Sequence, residues 1–176
     1  MISRRAAMRA SMVTRAPILT LLLLTSCGYH LLGHGGGPGS VPADVHTVTI
    51  IGNADTRVLS MLRQSLSSEH YQLVDGGVVT NMAHHALLDV RISPLSFAPS
   101  AYDVLGVATQ YKMILTGTLT LEQHGKTLWQ SGPIQERGNV YVNGGPASID
   151  ASRARLLHNL EKQWVSDAVG RLRSGF

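Results

Sequence analysis

Apolar and polar positions alternate most regularly in the middle of the chain. Tyr111, Met113, Leu115, Gly117, Leu119 and Leu121 take turns with Lys112, Ile114, Thr116, Thr118, Thr120 and Glu122. A period of two sends successive side chains to opposite faces of a strand. The pattern predicts one long strand with a buried face and a Thr-rich wet face. His124 and Gly125 stand where a hairpin turn is needed, and residues 127–130 (TLWQ) begin the returning strand. Pro133 has no N–H for a ladder, so it is expected to bulge that strand or hold it at an edge, with resumption near residues 140–142. Residues 86–92 (ALLDVRI) alternate in the same way, with Leu88, Val90 and Ile92 on one face and Asp89 and Arg91 on the other. Residues 45–51 (VHTVTII) are β-branched and read as a first strand, and residues 71–74 as a short extended piece.

Two stretches follow the helical period instead. Val58, Leu59, Leu62 and Leu66 mark a short amphipathic helix over residues 56–69, preceded by turn and cap residues Gly52-Asn53-Ala54-Asp55. Leu157, Leu160, Trp164, Ala168 and Leu172 form the stripe of a final helix, which Ser148 and Asp150 open after the break at residues 143–146. The expected order is therefore β-α-β-β-β-α. Two amphipathic helices cover only one face of a sheet, so the expected fold is α+β: a two-layer sandwich over residues 45–176. Its sheet would be about four-stranded and mainly antiparallel, with both helices on one face and the Thr-rich face open. No internal repeat is visible.

Composition adds the location of charge. The 176 residues are 44% hydrophobic and 15% charged, as in a globular domain rather than a polytopic membrane protein. The formal excess of +4 lies entirely in Arg4, Arg5, Arg9 and Arg15, because residues 1–26 contain no acid. Without them the chain is neutral, and the argument for a nucleic-acid partner disappears. Those residues also have the parts of a secretory signal: the basic start, an apolar run over residues 17–24, and small residues before Cys27. The apolar run is about half the length a spanning helix needs. Leu24-Thr25-Ser26-Cys27 resembles the lipobox of bacterial lipoproteins. That resemblance implies a signal peptide over residues 1–26, a mature start at Cys27 carrying diacylglycerol and an N-acyl chain, and, with Gly28 rather than Asp next, sorting to the outer membrane. Several acyl chains on one residue anchor durably without a span. Residues 27–44, with GHGGGPGSVP at 33–42, read as a lipidated tether with a flexible-coil span of roughly 20 to 25 Å. With the only Cys alkylated, no disulfide is available, so packing alone must hold the domain.

Chemical motifs are sparse. Residues 33–39 miss G-x-G-x-x-G at Pro38 and lack a strand-to-helix setting, and Gly125-Lys126-Thr127 lacks the leading glycine of a phosphate loop. His30 with His34 lies in a Gly-rich stretch that makes a poor helix. His84 and His85 are adjacent and would point apart in an extended chain, so all four read as solvated loop histidines rather than metal ligands. No nucleophile elbow, paired acidic motif or Cys-His arrangement is present, and the expectation is a protein that is not an enzyme and has no cofactor or metal.

Several segments together resemble one family, the outer-membrane lipopolysaccharide-assembly lipoproteins (LptE). They are Cys27-Gly28-Tyr29-His30-Leu31 after the lipobox, Ala108-Thr109-Gln110-Tyr111-Lys112-Met113 leading into the long strand, Gly125-Lys126-Thr127-Leu128-Trp129 in the hairpin return, and the helix over residues 155–176. The resemblance implies a lipid-anchored protein of the outer membrane, facing the periplasm, with its domain in the lumen of the large β-barrel LptD. It implies a 1:1 hetero-complex in which the protein assists barrel assembly and insertion of lipopolysaccharide into the outer leaflet. The competing class is another lipid-anchored periplasmic module that binds peptidoglycan or a different envelope protein. Arg91 and Lys112 alternate onto the wet face and are candidates for holding lipid A phosphates. Asp89 and Glu122 share that face, so ordinary exposed ion pairing is the plainer reading. Residues 93–107 (SPLSFAPSAYDVLGV) join two strands as a loop rich in Phe97, Tyr102, Val104 and Leu105. Phe97 and Tyr102, with Thr116, Thr118 and Thr120, are the candidate barrel contacts, the alternative being that the loop folds back over its own core.

Overall fold

The computed structural model describes residues 41, 44–69, 71–74, 82–142 and 146–174. The expected signal peptide at 1–26, Cys27 and nearly all of the tether lie outside them. The elements are β1 (Thr47–Gly52), α1 (Thr56–Ser68), β2 (Gln72–Leu73), β3 (His85–Ile92), β4 (Ser96–Tyr102), β5 (Ala108–Gln123), β6 (Lys126–Gln130), β7 (Ile134–Tyr141) and α2 (Pro146–Ser174).

β5 is the spine of the fold. β4 runs antiparallel to its first half on one flank and β7 on the other, while its second half lies between β3 and β6. β1 then lies parallel to β3, and β2 parallel to β1. The sheet thus has seven strands and is mixed, not four-stranded and mainly antiparallel. Three causes account for the difference. The crossover through α1 brings the chain back in its original direction, so β3 must pair parallel with β1. Residues expected to form a loop include β4, whose alternation is obscured by small residues and by Pro99; at an edge, proline forfeits no ladder bond. The returning strand is divided at residues 131–133, where Gly132 takes φ +63°. There Ser131 Oγ accepts from Leu119 N at 2.9 Å, standing in for the interrupted ladder.

The other local readings have direct physical counterparts. His124 (φ 51°) and Gly125 (φ 73°) both adopt positive φ, as a two-residue hairpin turn requires. Asp55 caps α1, its side chain accepting from Arg57 N at 2.8 Å. Asn53 extends β3 past the end of β1 by accepting from Ile92 N and donating to Ile92 O.

Burial follows the two periodicities. Met113, Leu115, Leu119 and Leu121 of β5 join Val48, Ile50, Leu88 and Val90 in one core with Val58, Leu62 and Leu66 of α1 and Leu160, Trp164, Ala168 and Leu172 of α2. Both helices therefore lie on one face of the sheet, as expected. Each large aliphatic removed from water contributes about 1.5–3 kcal/mol. The helices are also tied by Arg57, which donates to the buried Glu161 carboxylate at 3.2 Å.

Candidate functional site

The sheet face that the helices leave uncovered is mostly polar along the β5 spine, where Ile114 interrupts the polar positions, and it also exposes Ile51 and Leu87 on the strands beyond. Thr116, Thr118 and Thr120 are half-buried there by neighbouring strands, with Asp89 opposite Thr120 and Arg91 opposite Thr118. Gln135 Nε2 donates to Thr116 Oγ1 at 3.3 Å and Arg137 donates to Gln135 at 2.9 Å, so β7 continues the polar surface. Hydroxyls both donate and accept, so this face can exchange bonds with water or with another polar wall.

Arg91 and Lys112 are both exposed on this face. Arg91 Nε donates to Asp89 at 2.8 Å, and that bond together with the Asp89 charge raises the guanidinium pKa further. Lys112 is six residues from Thr118 along β5, which separates the two cations by roughly 20 Å. They cannot grip a single phosphate together.

The proposed aromatic contacts divide between two places. Phe97 pairs with Met113 on the helix-covered side, stacks on Tyr111 with ring centroids 5.0 Å apart, and lies under Arg153 of α2 at 4.7 Å. It packs within the domain, as the alternative reading of this segment had it. Tyr102 is instead 60% exposed and begins an apolar hairpin tip with Val104 (100%), Leu105 (84%) and Val107 (59%). Tyr141, 62% exposed and opposite Gln110, flanks the same end of β5. Sequence patterning does not connect Tyr141 with this tip, because only the β5–β7 register brings them together.

Hydrogen bonds within the turn hold the tip in shape. Asp103 Oδ1 accepts from both Leu105 N and Val107 N at 2.9 Å, Asp103 N donates to Val107 O, and Gly106, at φ +79°, donates to Asp103 O.

Other features suggest structure more than chemistry. Among the described residues no group of three or more His, Cys, Asp or Glu side chains is placed to hold a metal. His84 Nδ1 lies 2.9 Å from the Asp44 carbonyl. A shallow groove of about 390 Å³ between α1 and α2 is lined by Ser65, Ser68, Ser166 and Gly170 and bordered by the Glu69–Arg173 ion pair. The Glu136 carboxyl, facing α2, is shifted upward by partial burial and then by the charge and hydrogen bond of Asp167.

No protein-family model and no curated protein sequence matches the chain. Solved structures do. The rare lipoprotein B of Shewanella oneidensis superposes with a TM-score of 0.59 at 13% identity, over 73% of this chain and 94% of that one. An uncharacterized lipoprotein B of Nitrosomonas europaea gives 0.55 at 15% identity, over 83% and 88%. A minor lipoprotein of Acinetobacter baumannii gives 0.54 at 10% identity, over 73% and 91%. At such identities the likeness establishes a shared fold: two helices on a curled mixed sheet.

Proposed function

We propose that this protein is a non-enzymatic, lipid-anchored component of the Gram-negative outer membrane. In this reading its domain occupies the lumen of the LptD β-barrel, supports assembly of that barrel, and assists passage of lipopolysaccharide to the outer leaflet. The observation that carries the proposal is the open polar sheet face built on Thr116, Thr118 and Thr120. A wet barrel lumen is lined by polar side chains, and a plug facing it needs hydroxyls and charges rather than apolar surface. The lipobox-like Leu24 to Cys27 and the lipoproteins that share the fold support the envelope location.

Arg91 and Lys112 serve in this reading as separate contacts for lipid phosphate, and Tyr102 with the threonines as barrel contacts. Affinity isolation of the lipidated chain from detergent-solubilised outer membranes tests the partner: a large β-barrel recovered in 1:1 ratio is expected. Depletion should reduce both folded barrel and surface lipopolysaccharide. Recovery of peptidoglycan fragments or another envelope protein, with barrel assembly unchanged, would replace this reading.

A further inference from the structure

The parallel pairing of β1 with β3 brings together two histidines that are far apart in the chain. His46 immediately precedes β1, and His84 immediately precedes β3 at the end of a short 3₁₀ turn, Met82–His84. His46 N donates to His84 O at 3.2 Å, which continues the ladder beyond the Thr47–His85 pair. The two imidazoles come to 6.0 Å between ring centroids, with their planes inclined by 38°.

We propose that His46 and His84 form a two-imidazole clip for a divalent transition ion of the zinc–copper class. Three observations carry this assignment.

The first is spacing. Two imidazoles that each place a nitrogen about 2.1 Å from one ion have ring centres about 4.5–6.5 Å apart, for angles at the ion between about 90° and 180°. The observed 6.0 Å falls within that range.

The second is a preset tautomer. His84 Nδ1 lies 2.9 Å from the Asp44 carbonyl oxygen. A carbonyl oxygen only accepts, so the proton of the neutral ring sits on Nδ1 and Nε2 presents a lone pair. Ligating histidines are commonly held in this way, the second nitrogen donating to a carbonyl that fixes the ring. Here that carbonyl belongs to the segment that also carries His46.

The third is the donor set. Both histidines are exposed, and among the described residues no group of three or more His, Cys, Asp or Glu is placed to hold a metal, so water completes the coordination. Imidazole donors suit zinc, copper and nickel, whereas calcium and magnesium require a shell of oxygens. An ion in this clip joins the start of β1 to the start of β3. The chain between them passes through α1 and β2, so a single link closes a long loop and restricts the unfolded chain accordingly.

The test uses the full chain in detergent after treatment with a chelator and removal of the chelator. Zinc chloride is titrated by calorimetry. One zinc equivalent is expected to weaken in His46→Asn and in His84→Asn, each by at least the about 10–100-fold that loss of a supporting shell costs. His158→Asn on α2 should bind as the parent does, and so should the chain with both His30→Asn and His34→Asn. Zinc should raise the thermal midpoint of the parent but not of His46→Asn. In the background lacking His30 and His34, one equivalent of copper chloride should give an electron paramagnetic resonance spectrum coupled to two imidazole nitrogens. Unchanged zinc affinity in both clip variants overturns the proposal, as does a site that disappears with His30 and His34. Copper coupled to a single nitrogen also overturns it, and that reading needs neither clip variant to fold.

Discussion

Trp164 fills the space that a side chain on Gly117 would need: its Cζ2 lies 2.7 Å from the position of a Cβ there, and Ile92 Cδ1 lies 2.5 Å from it. The long alternating strand therefore omits one side chain on its buried face so that the indole of α2 can reach the sheet. Gly117→Ala should cost about 1–3 kcal/mol through overpacking. Thr118→Ala, one residue along on the open face, should stay within about 0.5 kcal/mol. Urea unfolding of both variants checks the contrast, and equal costs would mean that Trp164 yields freely.

Glu136, beside Asp167, makes stability depend on pH in a defined direction. The folded pKa of Glu136 lies above its unfolded value because of burial and the neighbouring Asp167. The native state thus retains this proton more strongly than the unfolded chain. The resulting stabilisation is complete below the ordinary glutamate value of about 4.3 and is lost as pH rises through the folded value. Glu136→Gln should therefore be more stable than the parent at pH 7, with the advantage shrinking as pH falls towards 4. Denaturant midpoints across that range provide the measurement.

If Arg91 and Lys112 bind lipid phosphates, their separation of roughly 20 Å makes them independent contacts. Arg91→Ser and Lys112→Ser should each weaken lipopolysaccharide binding, and their effects should add in free energy, as expected beyond about 10 Å. Binding unchanged in the folded double variant would assign both residues to surface ion pairing. The Asp89 contact of Arg91 already provides one such pair.

Cys27→Ala should leave the precursor uncleaved and without acyl chains. Mass spectrometry of the parent should find the mature chain starting at Cys27 with the added mass of diacylglycerol and an N-acyl group. A different start, or an unmodified Cys27, would remove the anchor from the proposal.

Strong local periodicity made part of this protein legible in its sequence. The alternation from Tyr111 to Leu121 determined both the long strand and its Thr-rich face. The stripe from Leu160 to Leu172 determined the final helix, and His124-Gly125 the hairpin turn, because each depends on geometry within a few residues. The long-range partners were not local properties. Nothing in residues 96–102 declares a strand, since Pro99 and small side chains mask the alternation until β5 lies alongside. The same pairing turned Phe97 inward onto Tyr111 while leaving Tyr102 outside. The parallel pairing of β1 with β3 came from the crossover through α1, and the placement of Tyr141 at the same end of β5 as the apolar tip came from the β5–β7 register. Period and turn chemistry are encoded residue by residue, so the sequence by itself determined which segments form the main elements and which face of each is apolar. Strand neighbours, register and the ends at which exposed residues gather depend on contacts between segments far apart in the chain, and only the tertiary structure decided them.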